Sequence, residues 1–504
     1  MLAAMAPVAL VGLLAGCAAG PDFRPPVAPA DAGYTETPLP ASTVAADAAT
    51  GDAQRFVEGA TVPAQWWTAF SSRELDRRIA QALAHNPSVE SAQAALRQAQ
   101  ENVRAARGSL FPSVDGTLGA NRQKSSGASF GVGTPGAGID GGATIFTVYN
   151  ASVDVSYTLD LFGGVRRGVE AQSALADFQR YQLEGTYLSL AANVATASFR
   201  EASLRGQIEA TEEIVGVFRK QLDLIGKQHE IGAKSLGDVL IARTQVATAE
   251  AGLPPLRLAL AQTRNQLAVY LGRFPSGPGI EPIELDALAL PREVPVSLPS
   301  KLVEQRPDLR AAEAELHRAT AEVGVATANL LPQISLSGSY GVQSLATGDL
   351  FNGASAVWNL GANLLAPIFH GGTLRAQKRA AEAGLDQAAA DYRSTVLTAF
   401  RNVADSLRAL ELDAESLDAQ ARAEDAAQRS LDLVQSRYRD GAVDYLQVLD
   451  STRQYQQARI ALIQARAARL TDTAALYAAL GGGWSDVDIA GQAAPLPAAA
   501  TPSS

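Results

Sequence analysis

Four histidines, His85, His229, His317 and His370, are the first place to look for metal or acid–base chemistry, and none stands at the spacing that brings two imidazoles to one ion. Gly163-Gly164 and Gly371-Gly372 precede long helical stretches, as the glycines of a phosphate-binding loop do. No Gly-Lys-Ser or Gly-Lys-Thr follows them, so a sharp chain reversal is the better reading. No serine sits on a nucleophile elbow with a histidine and an acid in support. The single cysteine, Cys17, has no partner for an internal disulfide and could give a metal only one thiolate. These residue types in these patterns do not indicate an enzyme, and no cofactor is expected.

The elements that remain are positional. In 504 residues, 47% are hydrophobic and 19% charged, ample material for a buried core. A formal charge of -10, from 42 basic and 52 acidic residues spread along the chain, leaves no basic stripe for a phosphate backbone, so nucleic acid is not an expected partner. Leu2 to Leu14 is an apolar run shorter than the roughly 20 residues of a spanning helix. It reads as an export signal over residues 1–16. The order Leu14-Ala15-Gly16-Cys17 resembles the bacterial lipobox, which implies a covalent lipid on Cys17 as the new N-terminus. No Lys or Arg precedes Cys17, so the positively charged start of a signal is missing and the true start is expected elsewhere. Alanine at position 18, where aspartate would signal retention, implies sorting to the outer membrane. No other stretch reaches transmembrane-helix length, and a membrane crossing would have to use strands.

The chain aligns with itself at an offset of roughly 210 residues. Asn86-Pro87-Ser88 matches Arg306-Pro307-Asp308, Leu161-Phe162-Gly163-Gly164 matches Ile368-Phe369-His370-Gly371-Gly372, Gly232 matches Gly441, and Leu271-Gly272 matches Leu480-Gly481. Two repeats are expected, 66–272 and 301–484, each running helix, two strands, long helix, turn, helix. Residues 273–300, rich in Pro and Gly, read as a linker; 17–65 as an extended lipidated segment; 485–504 as a disordered tail. The helix after Gly164 is expected to continue to about Ile231 on a seven-residue beat of Leu183, Leu190, Ala197, Leu204, Phe218 and Ile225, a coiled-coil seam about 100 Å long. Val396, Val403, Leu410, Leu417 and Leu431 repeat it. Pro254-Pro255 should kink or break the first returning helix, and the second has no counterpart.

Segments of period two lie between the helices, near 112–123, 143–160, 332–345 and 355–367. In the second, Asn150, Ser152, Asp154, Ser156 and Thr158 alternate with Ala151, Val153, Val155, Tyr157 and Leu159. An ordinary half-buried sheet gives the same alternation. Segments of about ten residues with Gly- and Ser-rich loops fit strands between lipid and a watery lumen better. Four such strands are too few to close a barrel, and lipid does not tolerate open edges, so several chains must share one barrel.

Taken with Trp66-Trp67-Thr68-Ala69-Phe70, Leu159-Asp160-Leu161-Phe162-Gly163, Arg306-Pro307-Asp308-Leu309-Arg310 and Ala321-Glu322-Val323-Gly324-Val325-Ala326, the sequence resembles the TolC-like outer-membrane factors, specifically the OprM-type lipoprotein subgroup called the NodT family. The resemblance covers nearly the whole mature chain. It implies an α+β membrane protein: a homotrimer whose four strands per chain make a twelve-stranded outer-membrane barrel, continued by a periplasmic α-helical coiled-coil barrel. It implies a passive exit duct for drugs or other small toxic solutes, with a periplasmic adaptor protein, an inner-membrane RND-type pump and outer-membrane lipid as partners. At the turn Tyr438 to Asp450, the resemblance implies a periplasmic gate at Arg439, Leu446 and Asp450. A duct for type I protein secretion, or a non-transporting coiled-coil lipoprotein of the periplasm, are the alternatives.

Overall fold

The computed structural model describes residues 18–27, 33–125 and 144–483. The segment expected to be a signal, Cys17, residues 28–32 and 126–143, and the expected tail lie outside them. In chain order the elements are β1 (Arg55–Glu58), α1 (Arg73–His85), α2 (Pro87–Gly108), β2 (Ser113–Ser125), β3 (Thr144–Leu159), α3 (Gly164–Glu230), α4 (Leu236–Ala251), α5 (Leu253–Tyr270), β4 (Glu293–Val296), α6 (Pro299–Gln305), α7 (Pro307–Ala328), β5 (Gln333–Ser344), β6 (Ala356–Leu365), α8 (Thr373–Arg439) and α9 (Tyr445–Ala479). The order helix, strand, strand, long helix, return therefore occurs twice. The chain divides into two compact units.

The first unit takes in the described residues up to Pro25 with Arg97–Asp177 and Ala314–Ala390. Its centre is an antiparallel sheet in the order β2-β3-β5-β6, with the β2 and β6 edges unpaired among the described residues. All four strands fall within a residue or two of their expected positions. Each joins a helix at one end and a hairpin at the other. Asp160 fixes the entry to α3 by accepting hydrogen bonds from the Val165 N–H at 3.0 Å and the Arg166 N–H at 2.9 Å, which are donors that a helix start leaves free.

The second unit takes in the described residues of Pro26–Leu96, Phe178–Glu313 and Asp391–Ser504. The seven-residue beat is buried along α3 at Leu183, Leu190, Ala197, Leu204, Phe218 and Ile225. On α8 it is buried at Val403, Leu410, Leu417 and Leu431, with Val396 half-buried. Both long helices have 67 residues. The diproline breaks the first return as expected: α4 stops at Ala251, and Pro254 and Pro255 occupy the first turn of α5, where a missing N–H costs nothing. α9 runs 35 residues unbroken.

Aromatic residues knit the rest of this unit. Trp66 is fully buried and stacks on Tyr477 with centroids 5.6 Å apart, and Phe70 packs on Phe199 at 4.9 Å. The motifs at the helix joints prove to be staples. Asn86 donates from Nδ2 to the Tyr270 carbonyl at 2.8 Å and accepts from the Ser88 N–H at 2.9 Å. Arg306, at the matching position, donates to the Ala479 carbonyl at 2.5 Å and forks onto Asp308 at 2.7 and 3.0 Å.

Two short strands fall in stretches read as linker and extended segment. β1 and β4 pair in parallel, from Arg55 opposite Glu293 to Glu58 opposite Val296. Burial accounts for this: Ile283, Leu285, Leu288, Leu290, Val294 and Val296 all lie inside, so the stretch 273–300 contributes to the core as well as connecting the halves.

Candidate functional site

The first feature of functional interest is the two-faced sheet. Its register puts every apolar set on one face. Val155 lies opposite Val114 and Gly338, Val153 opposite Gly116 and Tyr340, Tyr157 opposite Leu336, and Leu336 in turn opposite Ala362. Tyr340 lies opposite Trp358, and Ile334 opposite Leu364. The other face carries Ser113, Asp115 and Thr117 against Ser156, Asp154 and Ser152, then Ser335, Ser337 and Ser339 against Asn363, Gly361 and Asn359. Asp154, facing another carboxylate across the strand pair, accepts from Thr117 at 3.0 Å and Ser152 at 2.9 Å.

The apolar face is uncovered: Leu118 is 81% exposed, Leu360 80% and Trp358 77%. A continuous exposed apolar face of this kind needs lipid or protein over it. A strand alternating apolar and polar residues over about ten residues suits a wall between hydrocarbon and water. No helix among the described residues is long and apolar enough to cross a membrane.

The second feature is the segment just after Cys17, which is seated within the first unit. The Ala19 N–H donates to the Phe162 carbonyl at 2.8 Å. Arg167, nearly buried, donates to the Ala19 carbonyl at 3.3 Å, to Asp22 at 2.5 Å and to Glu170 at 2.7 Å. Phe23 stacks on His317 at 4.3 Å, and His317 Nε2 lies 2.8 Å from Glu170. Burial alone would raise the Glu170 carboxyl, but its hydrogen bonds from Arg167 and His317 prevail and hold it below the usual glutamate range. Cys17 itself lies outside the described residues.

The third feature is the tip. α3 and α8 end alike, on glycines at φ 75° and 70°. The Ala233 N–H reaches back to the Gln228 carbonyl at 2.8 Å, and the Ala442 N–H to that of Arg437 at 2.9 Å, the six-to-one bond of a Schellman stop. Asp444 then caps α9, accepting from the Gln447 N–H at 3.1 Å. Tyr445, Val448 and Leu449 are buried against Ile214, Phe218 and Val246, and burial pushes the Tyr445 phenol up to about 12.

The opposite face of α9 bears Leu446, 55% exposed, and Asp450. The three gate candidates do not meet within one chain. Asp450 pairs with Arg453 at 2.6 Å and accepts from Gln454 at 2.7 Å, while Arg439 donates to the Gln435 carbonyl at 3.4 Å. Arg453 and Gln454 were not singled out from the sequence, although their spacings of three and four from Asp450 are those of helical neighbours. Among the described residues no cluster of His, Cys, Asp and Glu could hold a metal ion.

Comparison with known proteins agrees with this arrangement. The family description "Outer membrane efflux protein" matches residues 79–273 and 298–482. The chain is 33% identical over 473 residues to the probable efflux pump outer membrane protein TtgC of Pseudomonas putida, covering 94% of each. It is 34% identical over 422 residues to the pyoverdine export outer membrane protein OpmQ of Pseudomonas aeruginosa, covering 83% of this chain and 87% of that one. Among solved structures, the outer-membrane channel OprN superposes with a TM-score of 0.80 at 28% identity, over 93% of this chain and all of that one. The open state of the MtrE channel of Neisseria gonorrhoeae gives 0.77 at 26%, over 93% and 98%. With a two-faced sheet, long paired helices and relatives matched over most of their length, the chain belongs to the outer membrane efflux protein family and is an outer-membrane channel component of efflux.

Proposed function

We propose that three copies of this chain close a twelve-stranded barrel and form the passive exit duct of a tripartite, RND-type efflux system for small toxic solutes. The observation that carries this reading is the four-stranded sheet with its apolar residues in register on one face and both edges unpaired among the described residues. Unpaired strand edges in hydrocarbon cost several kcal/mol per unsatisfied group, and closure around a shared axis removes them. The fit of the family description to both halves favours an internal duplication, so that three chains would present six quasi-equivalent helical hairpins to the periplasm. A pump named for toluene and an exporter named for pyoverdine among the relatives favour small molecules over secreted proteins as cargo.

Cys17 would carry the lipid, consistent with the seating of Ala18 to Phe23 beside the strand–helix joints. Arg439, Leu446 and Asp450 would form the gate. A threefold axis near α9 would gather three Asp450 carboxylates, which cannot stay close without cations, protons or arginine partners. Arg453 joins Arg439 as a candidate partner, and docking of a periplasmic adaptor protein would open the closure. The test is detergent extraction from outer membranes followed by mass measurement of the intact oligomer and conductance in planar bilayers. A conducting trimer is expected; a water-soluble monomer would overturn the reading.

A further inference from the structure

The apolar face of the sheet changes character at one row. Along β3, the ten steps from Leu159 to Tyr149 cover about 33 Å of strand. At the usual tilt of 35–45° this is about 25 Å of depth, the height of the apolar band on membrane barrels. Opposite that stretch, β2 contributes Val114, Gly116, Leu118 and Ala120, the last facing Tyr149. The next two residues of β2 on the same face are Arg122, opposite Thr147, and Lys124, opposite Ile145. Both are exposed. β5 ends at Ser344, opposite Tyr149, so this part of the hairpin projects past its neighbour.

An exposed cation is ordinarily just solvated. Here two follow each other on the one face that is otherwise apolar, at the depth where hydrocarbon gives way to headgroups. The alternate face at that level is neutral, with Asn121 and Gln123. The nearest acids on these two strands, Asp115 and Asp154, face each other on that alternate face, lower down the sheet. Two same-face residues on a strand stand about 7 Å apart, close enough for a guanidinium and an ammonium to share one phosphate or hold two adjacent ones.

We propose that Arg122 and Lys124 form a binding site for phosphorylated lipid headgroups of the outer leaflet, with Tyr149 marking the boundary beneath. The site rests on reading the apolar face as lipid-facing. It fixes the height of the barrel in the membrane and makes the outer edge of each chain a preferred seat for phosphate-bearing glycolipid over zwitterionic lipid.

The test uses the full-length protein in detergent and in vesicles of phosphatidylcholine, with or without bisphosphorylated lipid A or its dephosphorylated form. The unaltered protein is expected to bind lipid A and discriminate against the dephosphorylated form. The Arg122→Ser/Lys124→Ser variant should bind it about thirtyfold more weakly, as two interfacial charge contacts would give, and the Arg122→Lys/Lys124→Arg variant should retain it. Unchanged oligomer mass establishes that the variants fold. Equal binding by all three proteins overturns the proposal, and so does displacement of lipid A by millimolar inorganic phosphate, which would mark a site for soluble anions. Quenching of Trp358 emission by brominated acyl chains, read against Trp358→Phe, separates the two layers of inference. Absence of quenching sinks the lipid-facing reading itself, whereas quenching with no effect of the double variant sinks only the headgroup site.

Discussion

Gly20 crosses Gly324 of α7 so closely that a Cβ on Gly20 would stand 2.5 Å from the Gly324 Cα. A Cβ on Gly324 would meet the Ala19 carbonyl at 2.9 Å and the Arg167 side chain at 2.8 Å. Two residues without side chains thus let the segment after Cys17 lie flat on the helix. Gly324→Val is expected to lift Ala19 and Gly20 away and to reduce hydrogen-exchange protection of the Ala19 amide at least tenfold, since its bond to Phe162 is lost. Protection equal to that of the unaltered protein would show that the crossing does not hold the segment.

Arg78 and Glu201 form a buried ion pair at 2.9 Å, with Arg78 also donating to Ser198 at 2.9 Å and Glu201 accepting from Arg264 at 3.0 Å. Glu201→Ala leaves the buried Arg78 guanidinium with only the more exposed Glu74 carboxylate, at 3.2 Å, and removes the partner of Arg264, at an expected cost of about 3 kcal/mol. Thermal unfolding of the detergent-solubilised protein followed by circular dichroism measures it. A midpoint within a degree of the unaltered protein would contradict this.

Asp413 has a distinctive pH signature. Burial, reinforced by the neighbouring Asp472, pushes its carboxyl up to about 7, with Arg469 counteracting. Arg469 is itself buried and spends its donors on neutral acceptors, the Asp52 carbonyl at 2.8 Å, the Thr43 hydroxyl at 3.0 Å and the Thr50 carbonyl at 3.1 Å. The folded chain therefore holds the proton more tightly than the unfolded one. This contribution is fully present below the ordinary aspartate range and is lost as pH rises towards 7. Asp413→Asn should raise the melting temperature at pH 8 by several degrees and flatten its dependence between about pH 4 and 7. An unaltered slope across that window would exclude the pair as its source.

The gate reading makes an electrical prediction. Arg439→Ala and Asp450→Ala should each increase single-channel conductance in planar bilayers. Arg453→Ala should do so as well, since Arg453 rather than Arg439 holds Asp450 within one chain. Conductance unchanged in all three variants would argue against a gate at this turn.

Charge on the apolar sheet face should be costly. If the sheet is part of a membrane barrel as proposed, Leu360→Arg is expected to lower its stability by about 2–4 kcal/mol at mid-depth and to reduce the protein recovered from outer membranes. Asn359→Arg, one residue along on the polar face, serves as the control and should leave recovery near normal.

The strands and long helices were legible because a one-sided environment imposes a period: two for a sheet with one apolar face, seven for paired helices. The diproline break was equally plain. The β1–β4 pair was not, because four-residue strands carry too few alternations to stand out and their partners lie more than 200 residues apart. The gate candidates show a different limit: Arg439, Leu446 and Asp450 come from the family resemblance, which does not give what Asp450 touches within one chain. The Asp450–Arg453 contact is local and could have been read from spacing alone. The Gly324 motif was recognisable as a word, whereas its reason required the crossing chain.

The interruption at Pro254-Pro255 leaves the carbonyls of Glu250 and Ala251 without the amide donors that would continue the helix four residues on. The first return is therefore two shorter helices that meet at Gly252, and the second is one continuous helix of 35 residues. If three chains assemble as proposed, any motion that dilates the periplasmic mouth would load these two unlike parts differently, and such an assembly would open with threefold rather than sixfold symmetry.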